Sequence, residues 1–359
     1  MGRSVDVGMV ALSFLAATSC GNGSATTGAG GTGAGSTTGS GASSATGPSG
    51  PGATGTAATG GTMSTTVASS STGTPGGDPC SGNAYTPTAP SAGQGTEPAG
   101  ASADQHEARL KVDAFRNLLG LHPINFNAAL NQASQAHSTY CSTDATWCPG
   151  WHQESPGHPG YTGVNFSDRD SAAGYSGGPR FEVMASGLGP DGSIQEWLDT
   201  VYHRGPFVTP DMAETGFGHG TGFDTMDFGN SSAADAAYVT NYPIHGQTGV
   251  ASSWSGNEGP APPAPPNGFP SGPVISVIFP VANGVHIVKH DIFDKSCTAL
   301  PHVAGGADLP STGFQMGFLG TSVVLYANAP LTSGSAYTVN VEYTLNGAAG
   351  HRTFQFTAN

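Results

Sequence analysis

The run WHQESPGHPGYTG, residues 151–163, sets His152, Glu154 and His158 close together in a chain with few charged residues. Imidazole beside carboxylate suits two chemistries: ligation of a divalent cation, or a general base held by an acidic partner. Pro156, Gly157 and Pro159 forbid a helix that would gather these side chains by turn spacing, so their partners must come from elsewhere in the chain. Several self-sufficient enzyme motifs are excluded. The His-x-Glu of His152 and Glu154 opens a zinc deaminase signature, but the later Pro-Cys-x-x-Cys is missing. A zincin needs His-Glu-x-x-His on a helix, and no Gly-x-Ser-x-Gly elbow follows a strand.

The elements that must position this loop are legible as periodicities. Over residues 104–119, Ala108, Val112, Phe115, Leu118 and Leu119 share one helical face, and Gly120 ends the helix. A second helix starts after Asn127, a good N-cap, with Leu130, Ala133, His137 and Tyr140 on one stripe, so His137 is expected in the core. Residues 141–192 read as loops around short elements. A third helix is expected from Ser193, carrying Ile194, Trp197, Leu198, Val201 and Tyr202 inward until Gly205-Pro206 stops it. His203 and Arg204 then stand at its C-terminal end, where the helix dipole favours positive charge.

Beyond that the period changes. Residues 255–272 form a proline-rich linker, and residues 273–359 alternate apolar and polar positions, as in Tyr337, Val339, Val341 and Tyr343, then Phe354 and Phe356 after an NGAAG turn. This pattern predicts a small antiparallel sandwich of the Ig-like kind.

The chain has 359 residues with 10 Lys and Arg against 24 Asp and Glu, a formal net charge of -14. Without a basic cluster, a nucleic-acid partner is excluded. Residues 1–20 hold Arg3, an apolar run over 7–17 and small residues before Cys20, which reads as a lipoprotein signal with Cys20 lipidated, or as an ordinary secretory signal. Residues 21–100 are Gly, Ser, Thr and Ala with no Lys or Arg, a composition expected to stay disordered as a tether or glycosylated stalk. Export favours disulfides. Cys141 and Cys148 are the first choice for a pair, and Cys80 with Cys297 follows by elimination.

Taken in order, NLLGLHPINFNAAL, QAHSTY, WHQESPGHPGYTG, DRDSAAGY, FEVMASG and SIQEWLDTVYHRGPFVTPDMAETGFG resemble the CAP superfamily, the SCP-like or cysteine-rich secretory, antigen 5 and pathogenesis-related 1 proteins, in a bacterial extracellular form. The resemblance implies an α+β fold, a CAP-type α-β-α sandwich over residues 101–254. It also implies a cavity where His152, Glu182 and His203 converge and hold a divalent metal such as zinc, with Glu154, His137 and Trp197 behind them. Phe181 and Val183 stand where Gly and Asn flank the acid in that family, and Thr200 where many members carry a second Glu. His158 is expected to be solvated.

Three functions follow as expectations. The first is an envelope-anchored module, held to the membrane by its lipid, that binds an extracellular small molecule, lipid, glycan or protein. The second is a metal-assisted hydrolase using His152, Glu182 and His203. The third is a structural or adhesive envelope protein with an inactive cavity.

Overall fold

The structure, a computed structural model, describes Cys80 and residues 93–359 apart from 232–238, 281–283 and 310–312. The expected signal, Cys20 and the tether up to residue 92, Cys80 excepted, lie outside the described residues.

The chain opens with α1 (Ala103–Leu119), β1 (Asn125–Phe126), α2 (Ala128–Thr143), α3 (Phe166–Ala172), β2 (Pro179–Ala185), α4 (Gly189–Leu198), α5 (Gly205–Val208), β3 (Met212–Gly220) and β4 (Phe223–Ser231). Ser102 caps α1 in a capping box with Gln105, and Gly120 closes it with φ 69°. Leu118, expected on the buried face, is exposed. Asn127 caps α2 as expected, with Leu130, Ala133, His137 and Tyr140 buried. The four strands form one sheet in the order β1-β3-β4-β2.

Alternation along β3 and β4 assigns a helix to each face of this sheet. A Cβ on Gly216 or Gly218 would stand 2.1 Å and 2.3 Å from backbone atoms of α2, so glycine at every second position lets the helix lie directly on the strand. Across the ladder, Thr225 and Asp227 are in register with Gly218 and Gly216, and they take hydrogen bonds from Ser138 and Ser134 of α2. The intervening Phe217, Met226 and Phe228 face the other way, into a core with Val112 and Phe115 of α1 and Ile194 and Trp197 of α4. This is a three-layer α-β-α arrangement.

The third helix differs from its expectation. It begins at Gly189 and ends at Leu198, so Val201 and Tyr202 are buried beyond its end and the helix dipole does not explain His203 and Arg204. Arg204 is buried, donating to the carbonyl of Val274 and the hydroxyl of Ser276 at 2.9 Å each, with its guanidinium over the Tyr242 ring.

The remaining strands are β5 (Thr240–Tyr242), β6 (Gln247–Val250), β7 (Ile275–Ile278), β8 (Val285–Phe293), β9 (His302–Gly306), β10 (Ser322–Ala327), β11 (Ala336–Leu345) and β12 (Ala348–Ala358). They make two four-stranded sheets, β5-β7-β10-β9 and β6-β12-β11-β8. The sheets bury Val277, Val323 and Leu325 of one against Val339, Val341, Phe354 and Phe356 of the other. Pairing of β5 with β7 and of β6 with β12 draws residues 240–250 into the sandwich, ahead of the expected boundary. Residues 93–100, expected in the tether, pack on the first layer: Gly95 N–H donates to Asp113 at 3.0 Å, and Arg109 pairs with Glu97 at 2.9 Å. Both halves, over the described residues, belong to one compact unit. Both disulfides form as expected, Cys141–Cys148 and Cys80–Cys297. Among the described residues no helix is long and apolar enough to cross a membrane.

Candidate functional site

His152, Glu182 and His203 all line one cavity of about 750 Å³, which runs from the 150–152 loop past β2 and α4 to Asn257, Glu258, Pro260 and Phe318. Its size suits a small molecule. Trp151, Phe166, Phe181, Trp197 and Phe318 supply apolar wall, and Trp151 and Phe318 remain exposed at 44 % and 45 %.

Glu182 is the buried anchor of the polar part. It sits on β2, paired with Asp227 of β4, and both of its oxygens are engaged. Oε1 meets His152 Nδ1 at 2.9 Å, while Arg169 Nη2 donates to Oε2 in a short contact. Arg169, fully buried on α3, also donates to the carbonyls of His152 and Val164. Burial drives the Glu182 carboxyl upward, but the Arg169 charge and then the His152 hydrogen bond outweigh it, so Glu182 lies well below the ordinary glutamate range. His152 is 41 % exposed by side chain and lines the cavity.

Glu154 does not orient His152. It turns inward, where Thr162 N–H donates to it at 2.7 Å and His137 Nδ1 lies 3.0 Å away. A carboxylate is acceptor-only and, once buried, needs several donors. The interior supplies Thr162, Gly163 and His137, where exposed His152 could supply one. Burial raises the Glu154 carboxyl, and these bonds together with Arg169 lower it further, leaving it below its ordinary value. His137 is fully buried as expected, its second nitrogen 2.8 Å from the Trp151 carbonyl. Trp197 is buried with its indole N–H on the Met184 carbonyl. His158 stacks on the Trp147 ring at 4.3 Å, so it packs on the surface rather than standing wholly in solvent.

His203 is held from an unexpected direction. Glu258, in the run expected to be a spacer, is fully buried by side chain and pairs with His203 Nδ1 at 3.0 Å. Its carboxylate also accepts the backbone N–H groups of Val201, Tyr202 and His203 at 2.8, 2.6 and 2.8 Å. Glu258 is the one charged residue in 255–272, and a lone acid in a proline-rich stretch was the available signal. Two further acids escaped the sequence reading. Asp170 is fully buried with neither carboxyl oxygen bonded among the described residues. Burial and then the charge of Glu182 push it up to about 7. Asp227 is raised by burial and by Glu182 and Asp170.

A divalent cation shared by His152, Glu182 and His203 does not fit this arrangement. Both oxygens of Glu182 are already engaged, one by Arg169 and one by His152. Among the described residues, the set of three His, Cys, Asp or Glu ligand atoms within 4.8 Å of one another is His137, Cys141 and Cys148, whose cysteines are joined as a disulfide. Thiolate ligation requires that bond to be broken.

Residues 111–240 match the model of CAP, the cysteine-rich secretory protein family. No curated protein matches the chain. A solved structure from Bacillus anthracis str. Ames, described as an extracellular protein containing a SCP domain, is similar at 18 % identity and a TM-score of 0.31, over 36 % of this chain and 40 % of that one. The chain thus spans well under half of that relative, and nothing about the whole protein follows from it. What the helices and sheet around the cavity form, over residues 111–240, is a CAP domain.

Proposed function

We propose that this protein is an exported binding module that takes up a small amphipathic molecule in the cavity between its CAP domain and its C-terminal sandwich. We read that sandwich as Ig-like and the whole as anchored at the cell envelope through Cys20. The observation that carries the binding reading is the make-up of the cavity: aromatic walls from Trp151, Phe181, Trp197 and Phe318 around a few fixed polar groups, His152, Glu182, His203 and Glu258. Such a mixture binds an apolar body and orients a polar head. Hydrolysis is less well supported. Among the described residues lining the cavity there is no serine, cysteine or lysine, and the Thr200 hydroxyl is spent on the Trp197 carbonyl at 2.8 Å. Both oxygens of Glu182 are occupied, by His152 and Arg169, so Glu182 itself is not free to act as the base.

The test is titration with 8-anilinonaphthalene-1-sulfonate and displacement by a panel of fatty acids, sterols and alkyl glycosides. One saturable site is expected, weakened at least about tenfold, or about 1.4 kcal/mol, by Phe181→Asp and by Phe318→Asp. Absence of a saturable site, or wild-type affinity in both variants, would refute the reading. Turnover of ester or peptide substrates that His152→Ala abolishes would move the conclusion to the hydrolase.

A further inference from the structure

The sandwich breaks its own rule at its open edge. Positions facing the interior of two packed sheets are apolar, and here Ile292, Val339 and Val341 of one sheet meet Val323, Leu325 and Ala327 of the other. His290 lies on the same side of β8 as Ile292 and is in register with Val341. His302 lies on the same side of β9 as Ala304 and is in register with Ala327. Both histidines therefore occupy core-facing positions, one in each sheet. Because β8 and β9 are edge strands, the two rings meet where the sandwich opens to solvent, and each is partly buried.

Their nitrogens converge. His290 Nδ1 lies 2.8 Å from His302 Nε2, with the rings 78° apart. The opposite nitrogen of His302, Nδ1, lies 2.8 Å from the Leu300 carbonyl. A carbonyl only accepts, so His302 carries its proton on Nδ1 and directs the Nε2 lone pair at His290. This is how protein metal sites hold imidazole ligands, with the outer N–H on a backbone carbonyl that fixes the tautomer and the ring plane. Two nitrogens bound to one ion at about 2.0–2.1 Å stand about 3 Å apart, close to the spacing already present.

We propose that His290 and His302 form a transition-metal site at the open edge of the C-terminal sandwich, selective for ions that favour imidazole, copper(II), nickel(II) and zinc(II). The ion replaces the proton that bridges the two rings. That proton moves through solvent from Nδ1 to Nε2 of His290, so both rings stay neutral and both inner lone pairs reach the metal. Water completes the coordination sphere from the open side. A metal there ties β8 to β9 and so clamps one sheet to the other. The site is independent of the CAP cavity.

Copper(II) is the probe, since it heads the affinity order for nitrogen ligands and its electron paramagnetic resonance spectrum reports bound imidazole nitrogens. The metal-stripped chain is titrated with one equivalent, and the spectrum is expected to show two imidazole nitrogens on one ion. Affinity should fall at least about tenfold in His302→Leu and in His290→Gln and hold in His152→Ala/His203→Ala. Leucine suits a core-facing position, while glutamine keeps a donor toward His302, so a folding failure in one leaves the other informative. Melting curves in chelator report whether each variant folds. A wild-type spectrum lacking two imidazole nitrogens, or an unchanged one in a folded His290→Gln or His302→Leu, overturns the assignment.

Discussion

Arg169 and Glu182 meet inside the CAP domain with side chains 0 % and 1 % exposed, the guanidinium on one carboxylate oxygen and His152 on the other. The pair joins α3 to the β2 wall of the cavity. Removing one member of a buried ion pair strands the other charge at a cost of about 3–5 kcal/mol. Arg169→Met should therefore destabilise the protein by that amount in urea unfolding. The double variant Arg169→Met/Glu182→Leu should recover at least about 1 kcal/mol of the summed single losses, because neither charge then remains unpaired. A loss under about 1 kcal/mol in Arg169→Met would mean that water reaches Glu182 and that the pair contributes little.

Asp170 sets an unusual pH dependence. Its carboxyl moves from an ordinary 3.8 up to about 7 in the fold, mainly through burial. A group that binds its proton more tightly when folded favours the native state at low pH, and that advantage fades as pH rises through its folded value. Between about pH 4 and 7 stability should fall with rising pH, and Asp227, displaced in the same direction, adds to the fall. Glu154 and Glu182 act oppositely: their depressed values give stability above about pH 4.5 that is lost on further acidification. Asp170→Asn should leave the protein at least as stable at pH 8 and flatten the fall between pH 4 and 7 by at most one proton, about 1.4 kcal/mol per pH unit. Urea midpoints across pH 4 to 8 measure this, and an unchanged slope in the variant would show that Asp170 ionises normally.

The first two helices were legible because each carries its own cap and its own apolar stripe, from Ala108 to Leu119 and from Leu130 to Tyr140. Periodicity says nothing of what holds a polar group from a distance. The loop marks His152, but only the family resemblance points to Glu182, thirty positions away, as its neighbour, while adjacent Glu154 goes to His137. The end of α4 departs from the sequence pattern for a similar reason. The apolar spacing of Val201 and Tyr202 continues the helical pattern, yet their N–H groups bond to Glu258 instead of to the preceding turn. The sequence does carry a signal for the packing of α2 on β3: Gly216, Gly218 and Gly220 alternate with Phe217 and His219, the mark of a strand with a helix lying directly on one face.

That glycine stripe can be tested. A methyl at Gly218 would stand 2.3 Å from main-chain atoms of Ser134 and Gln135, so α2 would have to lift away from β3. Gly218→Ala should cost about 3 kcal/mol, at the upper end for overpacking. Gly178 offers the contrast. Nothing lies within 4 Å of a Cβ there, so Gly178→Ala should fall within about 0.5 kcal/mol of wild type. Thermal melts of the two variants side by side decide it, and equal melting temperatures would refute close contact of helix and strand.

Glu258 carries the argument about the cavity. Its carboxylate accepts three successive backbone N–H groups and pairs with His203, so one side chain fixes the turn after α4 and places His203 and Tyr202 on the cavity wall. Glu258→Ala removes every one of these acceptors at once. Unmet buried donors cost about 1–3 kcal/mol each, and water entering through the cavity offsets part of that, so a net loss of about 3 kcal/mol is expected. Glu258→Gln keeps one acceptor oxygen and loses the charge, and should lie between wild type and alanine. If the turn also shapes the binding site, affinity for 8-anilinonaphthalene-1-sulfonate should fall in the same order as stability, because His203 and the Tyr202 ring shift with the backbone. Stability falling with affinity unchanged would separate the two, leaving Glu258 as a brace between the halves of the chain and moving the binding surface toward Trp151 and Phe181.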